Sequence, residues 1–323
     1  MGHTERRQDL DIKKVVVAGG GVLGSQIAFQ AAYVGYDVTV WLRSEGSIGR
    51  TQPKLDHVKA SYIETIKQME AKTPGVWASG IADADDFDAA KCLEKVEKAY
   101  TRLKIELDMA KAVADADIVI ESMSENPDDK IAVYKKMAPL LDEKTILVTN
   151  SSTLLPSQFA EYTGRPEKYL ALHFANTIWV NNMVEVMAQP KTDPKIFDEV
   201  MAFAKDLRMI PLPLHKEKSG YLLNSMLVPL LSAAQDLNVE GISDPESIDK
   251  AWTVGTGAKY GPFRIIDIVG LKTAYDIISM LAATVPPEVA PYNYKGQAEV
   301  LKKYIDEGKL GMIAGEGFYK YKK

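Results

Sequence analysis

Residues 14–42 read KVVVAGGGVLGSQIAFQAAYVGYDVTVWL, and the organisation of the whole chain follows from them. Lys14 to Ala18 is a short apolar run rich in valine, which predicts a buried strand. Gly19-Gly20-Gly21-Val22-Leu23-Gly24 follows at once. Ser25 to Val34 is rich in Ala, Gln and Ile and holds no breaker, so it predicts a helix that Gly35 ends. Asp37 to Leu42 is then a second strand. One βαβ unit is complete within about 30 residues. Gly19, Gly21 and Gly24 have the G-x-G-x-x-G spacing between a strand and a helix, the context that gives the motif its mechanics. The first glycine admits the tight turn. The second lets the backbone approach a pyrophosphate, and the third lets the helix pack on the strand. The helix start, with Val22 and Leu23, then turns free N–H groups toward an anion. A glycine-rich turn with no ligand is the plainer alternative.

The alternation resumes further along. Asp117–Glu121, Thr145–Thr149, Tyr169–Phe174, Met183–Met187 and Met209–Leu214 read as strands. Asp128–Leu141 and Asp193–Leu207 read as helices. The first part is thus an α/β, doubly wound Rossmann-type domain, expected over residues 1–215. It carries an insertion at about 50–104. There Leu55, Val58, Tyr62, Ile66 and Met69, then Leu93, Val96, Tyr100 and Leu103, recur at helical spacing. Two amphipathic helices in a protruding hairpin fit this pattern, and crossover helices lying flat on the sheet are the alternative. After Lys216 the strands stop. Ser219–Val239, Pro245–Thr256, Ile265–Leu281 and Gln297–Glu307 read as helices, so residues 216–323 form an all-helical second domain.

Composition narrows the function. The chain has 323 residues, about two domains' worth. Its net charge of −5 argues against a partner that needs phosphate neutralisation, so no nucleic acid is expected. The longest apolar run, Tyr221 to Ala234, contains Asn224 and Pro229 and is too short to span a bilayer. Met1 to Lys14 is polar, without a signal-peptide core, which points to a cytoplasmic protein. Cys92 is the single cysteine, and His3, His57, His173 and His215 lie far apart. A disulfide framework or zinc site is therefore not expected. Cys92 reads as a packing residue, His3 as part of a frayed terminus, His57 as exposed on the first hairpin helix and His215 as a residue of the domain junction. Arg50, Lys54, Lys59, Lys67 and Lys72 could meet the phosphates of a ligand. Interspersed with Asp56, Glu64 and Glu70, they read better as a mixed solvated face.

The end of the second strand bears on the cofactor. An acidic residue there binds the ribose 2′-hydroxyl of NAD. Leu42 stands in its place, followed by Arg43, which can pair with a 2′-phosphate. NADP(H) is the expected cofactor and NAD(H) the alternative.

Ligands of a doubly wound sheet sit at the carboxyl ends of its strands. Three such ends are polar: Glu121-Ser122-Met123-Ser124-Glu125, Thr149-Asn150-Ser151-Ser152-Thr153 and His173-Phe174-Ala175-Asn176. Singly, a Ser/Thr cluster is a helix cap and a strand-end histidine a structural residue. Together they suggest a site. Asn224 interrupts an apolar run, and a buried amide costs about 1–3 kcal/mol unless it is bonded.

The chain resembles the 3-hydroxyacyl-CoA dehydrogenase family. The resemblance rests on the glycine loop, E-S-M-S-E at 121–125, N-S-S-T at 150–153, H-F-A-N at 173–176, V-E-V at 184–186, G-Y-L-L-N at 220–224, G-P-F at 261–263 and G-E-G-F-Y at 315–319. It covers nearly the whole chain. N-S-S-T-L-L-P-S at 150–157 and W-V-N-N at 179–182 make it most similar to the diketoreductase branch. Ala175 and Thr177 depart from the usual H-F-F-N-P. The resemblance implies a helical dimerisation domain, a homodimer and the L-3-hydroxy product.

The resemblance also implies the roles. Ser152, His173 and Glu185 match the family's serine, histidine and glutamate, so His173 would be the acid–base group and Glu185 its partner. Ser152 and Asn224 would donate to the keto oxygen. Glu125 and Lys130 match positions near the nicotinamide ribose, Asn176 one that supports the site, and Asn150 and Ser152 belong to the cofactor-binding strand end. The implied activity interconverts 3-keto and 3-hydroxy groups, on a CoA thioester or on non-CoA β-keto esters and diketones. A non-catalytic, crystallin-like nucleotide-binding protein is the competing class.

Overall fold

The computed structural model describes residues 10–321, so the expectation for His3 lies outside the described residues. The chain divides into two compact units, one ending at Leu222 and the other starting at Leu223.

The first unit is built on one eight-stranded sheet. Its strands are β1 (Lys14–Ala18), β2 (Asp37–Trp41), β3 (Lys104–Glu106), β4 (Ile118–Glu121), β5 (Ile146–Thr149), β6 (Tyr169–Phe174), β7 (Met183–Met187) and β8 (Ile210–Leu214). Their order is β3-β2-β1-β4-β5-β6-β7-β8. Only the β6–β7 pairing is antiparallel. The strand order reverses at β1, and this switch point is where a doubly wound sheet leaves a crevice. The central parallel strands β1, β4 and β5 are buried on both faces and read as valine- and isoleucine-rich runs for that reason.

Helices α1 (Val22–Val34), α2 (Glu45–Glu70), α3 (Ala89–Arg102), α4 (Met109–Val113), α5 (Pro127–Met137) and α6 (Pro194–Asp206) cover the sheet. The α2–α3 hairpin neither stands free nor lies on the sheet. Tyr62 of α2 packs on Phe29 and Tyr33 of α1, at 4.9 and 5.4 Å between ring centroids, and its hydroxyl donates to Gln30. Cys92 and Val96 of α3 join the same core, whereas His57 is exposed.

Several boundaries differ from the sequence reading. Helix α2 starts at Glu45, ahead of the expected 50, because its first two turns lie mostly at the surface and carry no continuous apolar stripe. Strand β3 escapes the periodicity because it is a three-residue edge strand with charges at both ends.

The second unit holds α7 (Leu223–Val239), α8 (Pro245–Thr256), α9 (Pro262–Val269), α10 (Leu271–Thr284) and α11 (Tyr294–Asp306). Helix α7 starts four residues later than expected, since Gly220 and Tyr221 take positive φ. The single helix expected over 265–281 is two, broken at Gly270, whose φ of 95° no helix accommodates. Phe263, Ile266, Leu271, Ile278 and Leu301 form the core here. Asp249 caps α9 by accepting from the N–H groups of Phe263 and Arg264. Asp267 accepts from Phe318 N–H, Tyr319 N–H and the Tyr321 hydroxyl, and so ties down the C-terminal segment. A Cβ on Gly261 would meet Asp249 at 2.3 Å, and one on Gly317 would meet Asp267 at 2.1 Å. The G-P-F and G-E-G-F-Y motifs therefore belong to these two carboxylate clasps. Among the described residues no helix is long and apolar enough to cross a membrane.

Candidate active site

The glycine loop runs from β1 into α1 along the crevice. Gly19 has φ 121°, and a Cβ there would meet the Ser122 carbonyl oxygen at 2.3 Å. A Cβ on Gly24 would meet the Gly19 carbonyl oxygen at 2.2 Å. A Cβ on Gly21 would meet nothing within 4 Å, so this side of the loop is open. Helix α1 begins without a side-chain cap and without an acidic residue in its first turn, which leaves its N–H groups and its dipole for an anion. These features fit a dinucleotide pyrophosphate. Gly20 is constrained as well: a Cβ there would meet Thr51 Oγ1 at 2.1 Å and Leu42 at 2.8 Å. The motif treats that position as free, and the run of three glycines was its only signal.

A cleft of about 580 Å³ opens from this loop. It brings together Gly19, Gly21, Val22, Leu23, Leu42, Arg43, Glu125, Asn150, Ser152 and Asn176. Arg50 and Lys54, set aside in the sequence as part of a solvated face, also line it. Lys59 instead pairs with Glu97 at 2.8 Å. Leu42 is buried at the end of β2. Arg43 is exposed and stands 4.0 Å from Asp129.

Outside the cleft lining, the antiparallel register places His173 of β6 directly opposite Glu185 of β7. Opposed residues project to one face. His173 Nδ1 lies 2.9 Å from Glu185 Oε2, and Nε2 lies 3.2 Å from Ser152 Oγ. Glu185 is fully buried and also accepts from Leu222 N–H at 2.8 Å. The order carboxylate, imidazole, hydroxyl can hold the ring and pass a proton at Nε2.

The strand ends hold one another. Glu125 accepts from Ser151 Oγ at 2.6 Å and from Ser152 N–H at 2.8 Å. Asn150 Oδ1 accepts from Phe174 N–H at 2.9 Å, which joins the ends of β5 and β6. Lys130 is not brought to the cleft lining. Its ammonium is buried against Glu121, at 2.7 and 2.8 Å from the two oxygens. Glu121 also accepts from Met123 N–H and from the Tyr134 and Thr149 hydroxyls. A buried carboxylate needs such partners, and that need draws Lys130 inward. Asn224 belongs to the second unit, in the first turn of α7. Sequence reasoning passed over Gln26, whose Oε1 accepts from Thr177 N–H at 2.8 Å and orients the segment after His173. The polar residues Ser25, Gln26 and Gln30, in a helix otherwise built of apolar ones, were the available sign.

The sequence model of the 3-hydroxyacyl-CoA dehydrogenase NAD binding domain matches residues 14–218, and that of the family's C-terminal domain matches residues 220–321. The chain belongs to the 3-hydroxyacyl-CoA dehydrogenase family. It is an oxidoreductase with a nicotinamide-cofactor domain. The human mitochondrial hydroxyacyl-coenzyme A dehydrogenase is 32% identical, over 96% of this chain and 92% of that protein. The 3-hydroxybutyryl-CoA dehydrogenase of Clostridioides difficile is 28% identical, over 96% of this chain and all of that protein. A solved diketoreductase superposes with a TM-score of 0.79 at 47% identity, over 96% of this chain and 99% of its own. The (S)-3-hydroxybutyryl-CoA dehydrogenase of Ralstonia eutropha does so at 0.75 and 26%, over 97% and 100%.

Proposed function

We propose that this chain interconverts the 3-keto and L-3-hydroxy groups of acyl-CoA thioesters of the acetoacetyl-CoA type. The observation that carries the reading is the Glu185–His173–Ser152 chain, whose serine lines the cleft that begins at the glycine loop. The bound nicotinamide supplies the hydride in reduction and accepts it in oxidation. His173 gives the keto oxygen a proton from Nε2 and removes it in the reverse direction. Glu185 holds Nδ1 and stabilises the imidazolium. Ser152 donates to the substrate oxygen. Asn224, in the second unit, carries the donor role that its motif implies. The backbone of the glycine loop would hold the pyrophosphate, Glu125 would stand near the nicotinamide ribose, and Asn176 would support the site. Residues 1–215 supply cofactor binding, and residues 216–323 supply substrate binding and dimerisation, in the cytoplasm.

A second reading is favoured by the 47% identity to the diketoreductase and by the segment after His173. Thr177 stands there with φ 59°, held by Gln26, where the family pattern has proline. Proline, with φ fixed near −65°, could not adopt this backbone. The substrate would then be a non-CoA β-keto ester or diketone.

NADPH is the favoured reductant in this proposal. Leu42 removes the carboxylate that would repel a 2′-phosphate, and Arg43, Arg50 and Lys54 share the cleft. The Arg43–Asp129 pair is long and exposed, so it restrains Arg43 little. One charge-assisted contact is worth about 1.5–3 kcal/mol, or roughly 10–150-fold in affinity. A panel of acetoacetyl-CoA, longer 3-ketoacyl-CoAs and β-keto esters, each run with NADPH and NADH, tests all three statements. The expected result is the highest kcat/KM for a CoA thioester with NADPH. Higher kcat/KM for the esters selects the second reading, and a ratio favouring NADH removes the cofactor assignment.

A further inference from the structure

Residues 218–222 make a turn in which Tyr221 N–H donates to the Lys218 carbonyl at 3.1 Å. Gly220 and Tyr221 both have positive φ, 79° and 51°. Glycine adopts this region freely, but a tyrosine there is uncommon and needs support from its surroundings. The Tyr221 ring lies on the His173 imidazole, with centroids 4.4 Å apart and 17° between the planes. The Tyr221 hydroxyl donates to the Ser151 carbonyl at 2.7 Å, one residue before Ser152. The next residue, Leu222, donates its N–H to Glu185 Oε1 and leaves Oε2 for His173. One turn therefore touches all three members of the proton-transfer chain, or their immediate neighbour.

We propose that Tyr221 is a positioning residue: its ring face favours the imidazolium form of His173, and its hydroxyl holds Ser152 in reach of Nε2. The inference rests on the acid–base reading of His173. An aromatic face is the negative side of the ring quadrupole. A cation stacked on it is attracted, so the protonated imidazole gains and the neutral one does not. The groups facing the imidazole are Glu185 at Nδ1, the Ser152 hydroxyl at Nε2 and the Tyr221 ring. Burial, with Glu125, Glu185, Glu121 and Glu217 nearby, holds the Tyr221 phenol well above its usual range. It therefore stays a neutral donor wherever the enzyme works.

The test compares the wild type, Tyr221→Phe and a protein with pentafluorophenylalanine at position 221. The two replacement rings share a shape, but their faces have opposite charge. The His173 imidazole is titrated by NMR in the full-length protein, its resonance assigned by its loss in His173→Asn. Tyr221→Phe is expected to leave the titration midpoint within about 0.3 pH unit, and the fluorinated ring to lower it by about 0.5–1.5. Tyr221→Phe also lowers kcat about 3–10-fold at unchanged cofactor KM, because the Ser151 carbonyl loses its donor. Equal midpoints for the two replacement rings overturn the inference. If the midpoint moves and the pH–rate profile does not, the ring effect stands, and the acid–base role of His173 is what fails.

Discussion

At the residue scale, His173 concentrates the chemistry. Replacing it with alanine removes the proposed acid–base group and leaves the glycine loop untouched. His173→Ala is expected to lower turnover by at least about 100-fold, with cofactor affinity by fluorescence titration little changed. Near-normal turnover in a folded variant would count against the assignment. His173, Ser152 and Asn150 were legible because each stands at a strand's carboxyl end. Tyr221 was not, because its neighbours Leu222 and Leu223 make it read as one more member of an apolar run. Its meaning depends on a positive φ and on the stack of its ring on His173, and no local pattern in the sequence shows either.

At the element scale, the β1–α1 loop and the start of α2 are fitted to each other. A Cβ on Gly20 would overlap Thr51 of α2 and Leu42 at the end of β2. Gly20→Ala is expected to weaken cofactor binding by about tenfold or more, the scale of a 1.4 kcal/mol misfit. Adding Thr51→Ala should recover much of the loss, which a double-mutant cycle would register as coupling. Additive losses would show that the loop fails for another reason. The starts of β1 and β4 are joined in a similar way. Asp117 accepts from the N–H groups of Lys13 and Lys14, each at 2.8 Å, and from Lys144 at 2.6 Å. Burial alone would raise its pKa, but Lys144 and the two backbone donors outweigh burial and hold it below the ordinary aspartate range. A lowered folded-state pKa means stability that is present above the unfolded value and lost as pH falls through the folded one. Asp117→Asn should therefore be less stable than wild type near neutral pH. The difference in urea midpoint should shrink below about pH 4, where the unfolded aspartate begins to take up a proton. A difference independent of pH would mean that the carboxylate charge contributes nothing.

At the scale of the whole molecule, the second unit leaves much apolar surface uncovered. Helix α7 buries only Ser232, Ala234 and Gln235, while Met226 is 67% exposed. Val254 and Met280 are also exposed, at 84% and 53%. Exposed apolar side chains in this number are the basis for expecting a second copy to cover part of the unit. A homodimer is expected by sedimentation at micromolar concentration, and a monomer there would contradict it. Replacing Met226 and Leu230 by glutamate should shift the equilibrium toward monomer.

The sequence by itself determined the α/β unit, its glycine loop, the change to an all-helical second part and the family. Those features are written in local signals: period-two and period-3.6 apolar spacing, glycines between a strand and a helix, and polar residues at strand ends. Tertiary structure alone decided which of the marked residues meet. The antiparallel β6–β7 register put Glu185 opposite His173, and the buried charge of Glu121 drew Lys130 away from the cleft. The fold also carried Arg50 and Lys54 from an apparently solvated helix face to the cleft beside the glycine loop. Pairings of this kind link residues far apart in the chain, and burial energetics choose among partners that local spacing cannot rank.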